Sequence, residues 1–557
     1  MTVPTDPVEP VIDPGAAPSA GPAASLGRST ALMASGTAVS RVLGVLRTMM
    51  VAWAIGLEYN AANTFAAANK LPNILYAIVA GGVLNAVLVP QVVRAYRRAN
   101  GEEYVNRLLT LGFAVLLGLT VILTAAAPAL IHLYATFTPA VTALAVLFAY
   151  WCIPQMLFYG LYSLLGQVLA ARGSFGPYMW SPVINNLVSM AGLAVFIMVN
   201  GQYKGQAALI DDPTWWGGSK IALLAGTFTL GVVVQALVLI IPLYRSGFRY
   251  RPLWGFRGVG LRPAGRVAYW TFVGLVLAQL GFLVVSNVTT ASASNNLYDQ
   301  AFLIFMLPHS IVTVSLMTAL FTRLSERAAA DDVDAVRSDL SLGLRMVGLF
   351  TILATALFSL LAFPLGRVLF FNAPASTLGK LAPIIVAMML GLVAFGAWSL
   401  AQRVYYAYED ARSMVPIQAV MVVVVVVGTL LAQLLLASEY WAVGAAGAMT
   451  LSYGLGAALA LAAVSRRLHG IDARRVVQVH VKAVVAAVVA TTLAAFVLHL
   501  LGPVGGWADA VVKCAVVGIV ITAIYVGLLA AMRVDELTML VRTVGARLGG
   551  RRGARRG

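Results

Sequence analysis

Ser40-Arg41-Val42-Leu43-Gly44-Val45-Leu46-Arg47 sets two guanidinium groups inside an apolar run that extends over residues 30–56. A run of that length crosses the ~30 Å hydrocarbon core of a bilayer as a helix. The rest of the chain shows that this is no isolated anchor. Of its 557 residues 60% are hydrophobic and only 11% charged, with a mean hydropathy of +0.88. Soluble domains carry about 25% charged residues, so the bilayer is the solvent that this composition requires. Further long apolar spans lie at 71–96, 105–131, 142–170, 178–200, 219–244, 267–290, 298–322, 341–370, 378–404, 414–437, 441–464, 477–501 and 509–532. The expected fold is an all-α polytopic membrane protein of about fourteen transmembrane helices. Alternation of barrel type is missing.

The formal charge of +17 reads as topology. Arginines cluster after the even-numbered spans: Arg94, Arg97 and Arg98, then Arg172, then Arg245 to Arg266, then Arg323, Arg327 and Arg337, then Arg466 to Arg475. Loops after odd-numbered spans hold Glu58, Asp299, Glu439 and Asp509 instead, with Lys204, Lys220, Arg367 and Lys380 as the few exceptions. This alternation predicts an even helix number, a plasma-membrane location and both termini in the cytoplasm. It also replaces nucleic-acid binding as the meaning of the positive charge. Residues 1–28, rich in Pro, Ala and Gly, read as a disordered cytoplasmic tail. Cys152 and Cys514 lie in apolar spans, and the five histidines lack ligand spacing, so neither a disulfide framework, a metal site nor a cofactor is expected. Nucleotide-binding and nucleophile motifs are missing as well, and the chain does not read as an enzyme.

A faint internal echo divides the chain. The second span starts Leu71-Pro72 and leaves at Arg94; the eighth carries Leu307-Pro308 and leaves at Arg323. Six spans separate them, as in two lobes related by a parallel repeat. The expected organisation is an N-lobe over 29–245, a basic linker over 246–265, a C-lobe over 266–469, two extra helices over 470–534 and a basic tail over 535–557.

Charges inside a span are costly and face a wet cavity or a partner. Arg41 and Arg47 lie six residues apart, which places them about 120° apart on an ideal helix. Gly44 between them is a natural place to bend. Lys70 precedes Leu71-Pro72 and could face the same cavity, or snorkel to an interface. No Asp or Glu lies centrally in any expected span, and Asp299 stands alone near the start of one. Cations without acids suit an anionic cargo such as a phosphate or pyrophosphate. An interior-negative potential pushes such a cargo outward by about 2.3 kcal/mol per charge per 100 mV. Gly81 and Gly82 read as close packing or a hinge.

These residues bear a resemblance. Ser40-Arg41 to Arg47, Asn63-Thr64-Phe65, Leu71-Pro72-Asn73 and Ala86 to Pro90 resemble the amino-terminal signature of the MurJ (MviN) lipid II flippases, within the multidrug/oligosaccharidyl-lipid/polysaccharide exporter superfamily. Gly166-Gln167 to Phe175, Pro182 to Asn186 and Gln402 to Ser413 agree in order. The resemblance implies two six-helix lobes around a central cationic cavity, alternating access, a groove for the polyprenyl tail at the last two helices and a role in peptidoglycan synthesis. It implies substrate binding by Arg41, Arg47, Lys70, Asn63 and Asn73, with Gly44, Pro72, Gly81 and Gly82 as hinge or gating positions. Its implied partners are lipid II, membrane lipids and cell-wall synthesis proteins. The chain also departs from well-studied proteobacterial members. Asn63 replaces an acid, Tyr76 an Arg, Gly81 a Glu and Leu303 an Arg, which leaves Arg41 and Arg47 a larger share of any diphosphate clamp. Rival readings are a flippase for another polyprenyl-diphosphate-linked glycan, a glycosyltransferase using Asp299, and a scaffold for cell-wall enzymes.

Overall fold

The computed structural model describes residues 23–79, 101–172, 174, 176–255 and 265–537. Among these, regular structure is entirely helical. Helices α1 (Ala23–Ile55), α2 (Asn60–Val79), α3 (Gly101–Ala125), α4 (Pro139–Cys152), α5 (Gln155–Ala171), α6 (Gly176–Asn200) and α7 (Thr227–Leu237) build a first bundle. Helices α8 (Gly265–Ala291), α9 (Asn295–Pro308), α10 (Val314–Ala329), α11 (Val333–Leu360), α12 (Ala375–Met389), α13 (Leu392–Ala407), α14 (Val415–Leu435) and α15 (Trp441–Arg467) build a second. The last two, α16 (Ala473–Leu500) and α17 (Trp507–Ala531), pack on each other and on α11, where Tyr525 Oη donates to the Leu349 carbonyl at 2.8 Å.

Each bundle has its own core. In the first, Phe65 meets Phe148 and Phe228 edge-on at 5.6 and 5.0 Å. In the second, Phe305 stacks on Tyr453 at 6.2 Å. Lipid tails are as apolar as these side chains, so close packing rather than escape from water holds the helices together. Gly192 on α6 shows the device: a Cβ there would collide with Thr227 of α7. A missing side chain lets the two backbones approach.

Eleven helices among the described residues are long and apolar enough to cross a bilayer, or twelve counting α12 and α13 as one span bent by 43°. The expected count of fourteen is not established on that measure. The two spans left over are the second and the eighth. The second runs into residues outside the described set. The eighth is α9 and α10, joined by a π-turn at His309–Thr313. Among the described residues α2 packs on α9 of the opposite bundle, so that face of each needs no lipid-compatible surface. The internal echo also deepens. Proline lies inside α2 (Pro72) and inside α9 (Pro308). Short helices Ala127–Tyr134 and Ala362–Leu369 trail the third and ninth spans. The fourth and tenth are both broken midway, at Ile153-Pro154 and at Leu390-Gly391.

The bundles meet at the Arg-poor end of the molecule. Asn63, 1% exposed, donates from Nδ2 to the Ala293 carbonyl at 2.8 Å and accepts on Oδ1 from the Asn296 backbone N–H at 3.1 Å. Asn295 Nδ2 donates to the Asn63 carbonyl at 3.0 Å, and Asn296 Nδ2 to that of Leu57 at 2.8 Å. Beside this clasp Glu58 accepts from Thr377 at 2.8 Å and pairs with Lys380, and the Thr136 N–H donates to Thr290 Oγ1 at 2.9 Å.

Candidate functional site

Inward of the clasp, two polar regions adjoin α2. Lys70 lies ten residues into α2, roughly 15 Å from its start at 1.5 Å per residue. Its ammonium pairs with Asp299 of α9 and stands 4.0 Å from the Phe282 ring centroid. This is the deepest polar link between the bundles among the described residues. Beyond it a cavity of about 550 Å³ opens, walled by α8, α9, α13, α14 and α15, with Lys70 and Ile74 as the first bundle's contribution.

The position of Asp299 corrects the expectation of a cavity without acids. It lies in the second turn of α9, lines the cavity and neutralises Lys70. A span drawn from apolarity alone places it at a loop boundary; the observed helix starts at Asn295 and carries it inside. Paired at this depth, it is not a membrane-face carboxylate of the kind a glycosyltransferase would need.

A second cluster surrounds Arg47. Its guanidinium stands 5.3 Å from the Phe228 ring centroid. The Tyr159 hydroxyl faces both Arg47 and the Asn73 amide, and lies 3.4 Å from Gln155 Oε1. Gln155 Nε2 in turn donates to Asn69 Oδ1 at 3.2 Å and Thr229 Oγ1 at 3.1 Å. Tyr76, the residue in place of an arginine, sets its ring 6.0 Å from that of Tyr159. Arg47 is eight residues from the end of α1 at Ile55, roughly 12 Å, and Arg41 fourteen, roughly 21 Å. Both depths fall within a ~30 Å core. Arg41 is exposed, Arg47 half-buried, and neither has an ion-pair or hydrogen-bond partner among the described residues.

The candidate residues thus separate. Arg47 and Asn73 share the Tyr159 cluster, and Lys70 lies at a similar depth, one turn from Asn73 on α2. Arg41 sits roughly 9 Å farther along α1. Asn63 is a correction: the clasp occupies both ends of its amide, and it does not line the cavity. A short polar side chain next to Phe65 could have been either a ligand group or a structural one; only its partners 230 and 233 positions away decide. Pro72 is buried inside α2. Gly44 faces open space, with nothing within 4 Å of a Cβ placed there, and α1 runs through it without a break. Gly81 and Gly82 lie outside the described residues. Gln155 and Tyr159 were missed, although their spacing of four on one helix face after Pro154 carried a signal.

Comparisons with known proteins agree with this architecture. The family described as lipid II flippase MurJ matches residues 51–511. The probable lipid II flippase MurJ of Synechocystis sp. is 26% identical over 407 residues, covering 71% of this chain and 74% of that protein. Its counterpart in Haemophilus influenzae is 25% identical over 414 residues, covering 68% and 76%. Among solved structures, a lipid II flippase MurJ in an inward closed conformation superposes with a TM-score of 0.67 at 17% identity, over 89% of this chain and 97% of that one. An inward-facing MATE multidrug resistance transporter of the MOP superfamily gives 0.63 at 14% identity, over 77% and 94%.

Proposed function

This chain belongs to the lipid II flippase MurJ family, and we propose that it carries lipid II from the inner to the outer leaflet of the plasma membrane by alternating access. The observation that carries the reading is the pair of unpartnered guanidinium groups, Arg41 and Arg47, at depths where hydrocarbon would otherwise surround them. Charges at such depth face a wet cavity or a partner, and these two have no ion pair among the described residues. A diphosphate fits, since guanidinium groups bind its oxygens through paired hydrogen bonds.

In this reading the Arg-rich end faces the cytoplasm with both termini. The clasp closes the outer side, so cargo enters from the inner leaflet. Arg41, nearer the entrance, meets the diphosphate first, and Arg47 and Asn73 receive it deeper. Lys70 becomes available when the cargo competes with Asp299. The polyprenyl tail stays in lipid beside α16 and α17, so that only the polar headgroup crosses the interior. Gly44 and Pro72 give α1 and α2 room to rock as the clasp opens. Proteins that build and polymerise the cargo would act at the two faces.

The test is rescue of a flippase-depleted cell. Arg41→Ala is expected to insert normally yet fail to restore growth, with lipid II accumulating on the inner leaflet. Normal growth would reject the assignment. Accumulation of a different lipid-linked glycan would redirect it to that cargo.

A further inference from the structure

The second-bundle cavity contains more polar capacity than a diphosphate site uses. Toward its Arg-rich end Gln402 of α13 and Gln418 of α14 line it, with Gln279 of α8 and Tyr453 of α15 nearer its middle. None of these four side chains has a hydrogen-bond partner among the described residues, and Gln279 Oε1 is buried. Gly274 makes room for one of them: a Cβ on that residue would collide with Gln418 Oε1. Between the amides stand aromatic faces. Trp398 is one helical turn from Gln402, and the Phe395 and Tyr453 rings lie 4.6 Å apart. Among the described residues the charges on the cavity wall are Lys70 and Asp299, deeper than Gln402 and Gln418, and they neutralise each other.

We propose that this end of the cavity is a subsite for a neutral acetylated sugar, the disaccharide portion of the cargo; the proposal rests on the flippase reading above. Each glutamine offers two N–H donors and a carbonyl acceptor, which match hydroxyl and acetamido groups in both roles. Aromatic faces stack on the C–H faces of pyranose rings, and a pocket with apolar walls and a few placed polar groups is the general form of a small-ligand site. A polyprenyl tail would leave three amides dry and unpaired, at about 1–3 kcal/mol each. The peptide stem brings ionised groups for which this end supplies no counter-charge. The diphosphate and the glycan are then read by different bundles, with Lys70 and Asp299 between them.

The experiment measures binding of two ligands, lipid II and sugar-free undecaprenyl diphosphate, to the full chain in nanodiscs. Gln279→Leu combined with Gln418→Leu is expected to weaken lipid II binding about tenfold, as loss of one or two net hydrogen bonds does, while undecaprenyl diphosphate binding is unchanged. That unchanged binding also certifies the fold. Gly274→Ala, which displaces Gln418 without removing it, is expected to give a smaller loss with the same selectivity. Unchanged lipid II binding, an equal loss for both ligands, or tighter binding of undecaprenyl diphosphate would each overturn the sugar subsite and leave the flippase reading standing. Failure of the unmodified chain to bind either ligand would overturn the flippase reading itself.

Discussion

The clasp and the cavity wall are built from the same kinds of side chain and treat them in opposite ways. At the clasp every amide of Asn63, Asn295 and Asn296 donates to a backbone carbonyl of a neighbouring segment. At the cavity wall Gln279, Gln402 and Gln418 donate to nothing among the described residues. The cations divide likewise among these residues: Lys380 and Lys70 are paired across the bundles, whereas Arg41 and Arg47 have no ion pair. Satisfied polar groups hold a conformation, because opening them costs their hydrogen bonds in a medium with little water to replace them. Unsatisfied ones are the groups that, in the proposed function, meet the cargo. On that proposal the division separates the parts that lock from the parts that load.

Four substitutions put that division under strain. The largest effect is expected from Arg47→Ala, which removes a charge proposed to meet the cargo and without an ion-pair or hydrogen-bond partner among the described residues. Transport in proteoliposomes should fall below detection while thermal stability stays unchanged; a large drop in stability would mean the guanidinium is a structural group. Next comes Asn63→Ala, which deletes the side-chain bonds to Glu58, Ala293 and Asn296. At about 1 kcal/mol net each, the equilibrium should shift toward an outwardly open state, seen as faster labelling of a cysteine placed at Ala67 by an impermeant outside reagent. No change in labelling would remove Asn63 from the lock. Asp299→Asn is expected to act on both regions at once. It releases Lys70 for the cargo while loosening the seam, so diphosphate binding should tighten a few-fold as outside labelling rises; if neither moves, the pair is incidental. The smallest effect is expected from Lys380→Ala. Its side chain is about half exposed, and such a rim pair is worth about 0–1 kcal/mol, so labelling should change less than for Asn63→Ala. An equal or larger change would place the lock at the rim.

Part of the proposed site was nominated before any fold. Two arginines in one apolar span signal a function, since a bilayer does not tolerate idle charge, and Lys70 was flagged because it abuts Leu71-Pro72. Misreadings fell where one residue had two physically plausible uses. Asn63 looked like a ligand group and is a clasp. Asp299 looked like a loop acid and is a counter-ion inside the cavity. The three glutamines drew no notice because they lie 123 and 16 positions apart on three different helices.

The amino-acid order by itself determined the solvent, the helical architecture, the loops that carry positive charge and the cargo's sign. All of these follow from local composition, since a helix closes its backbone hydrogen bonds internally and answers directly to the hydropathy of its own residues. Tertiary structure alone decided which polar groups are spent and which are free. That depends on which helix faces which, across separations such as the 229 residues between Lys70 and Asp299, and one helix's periodicity holds no record of its neighbour.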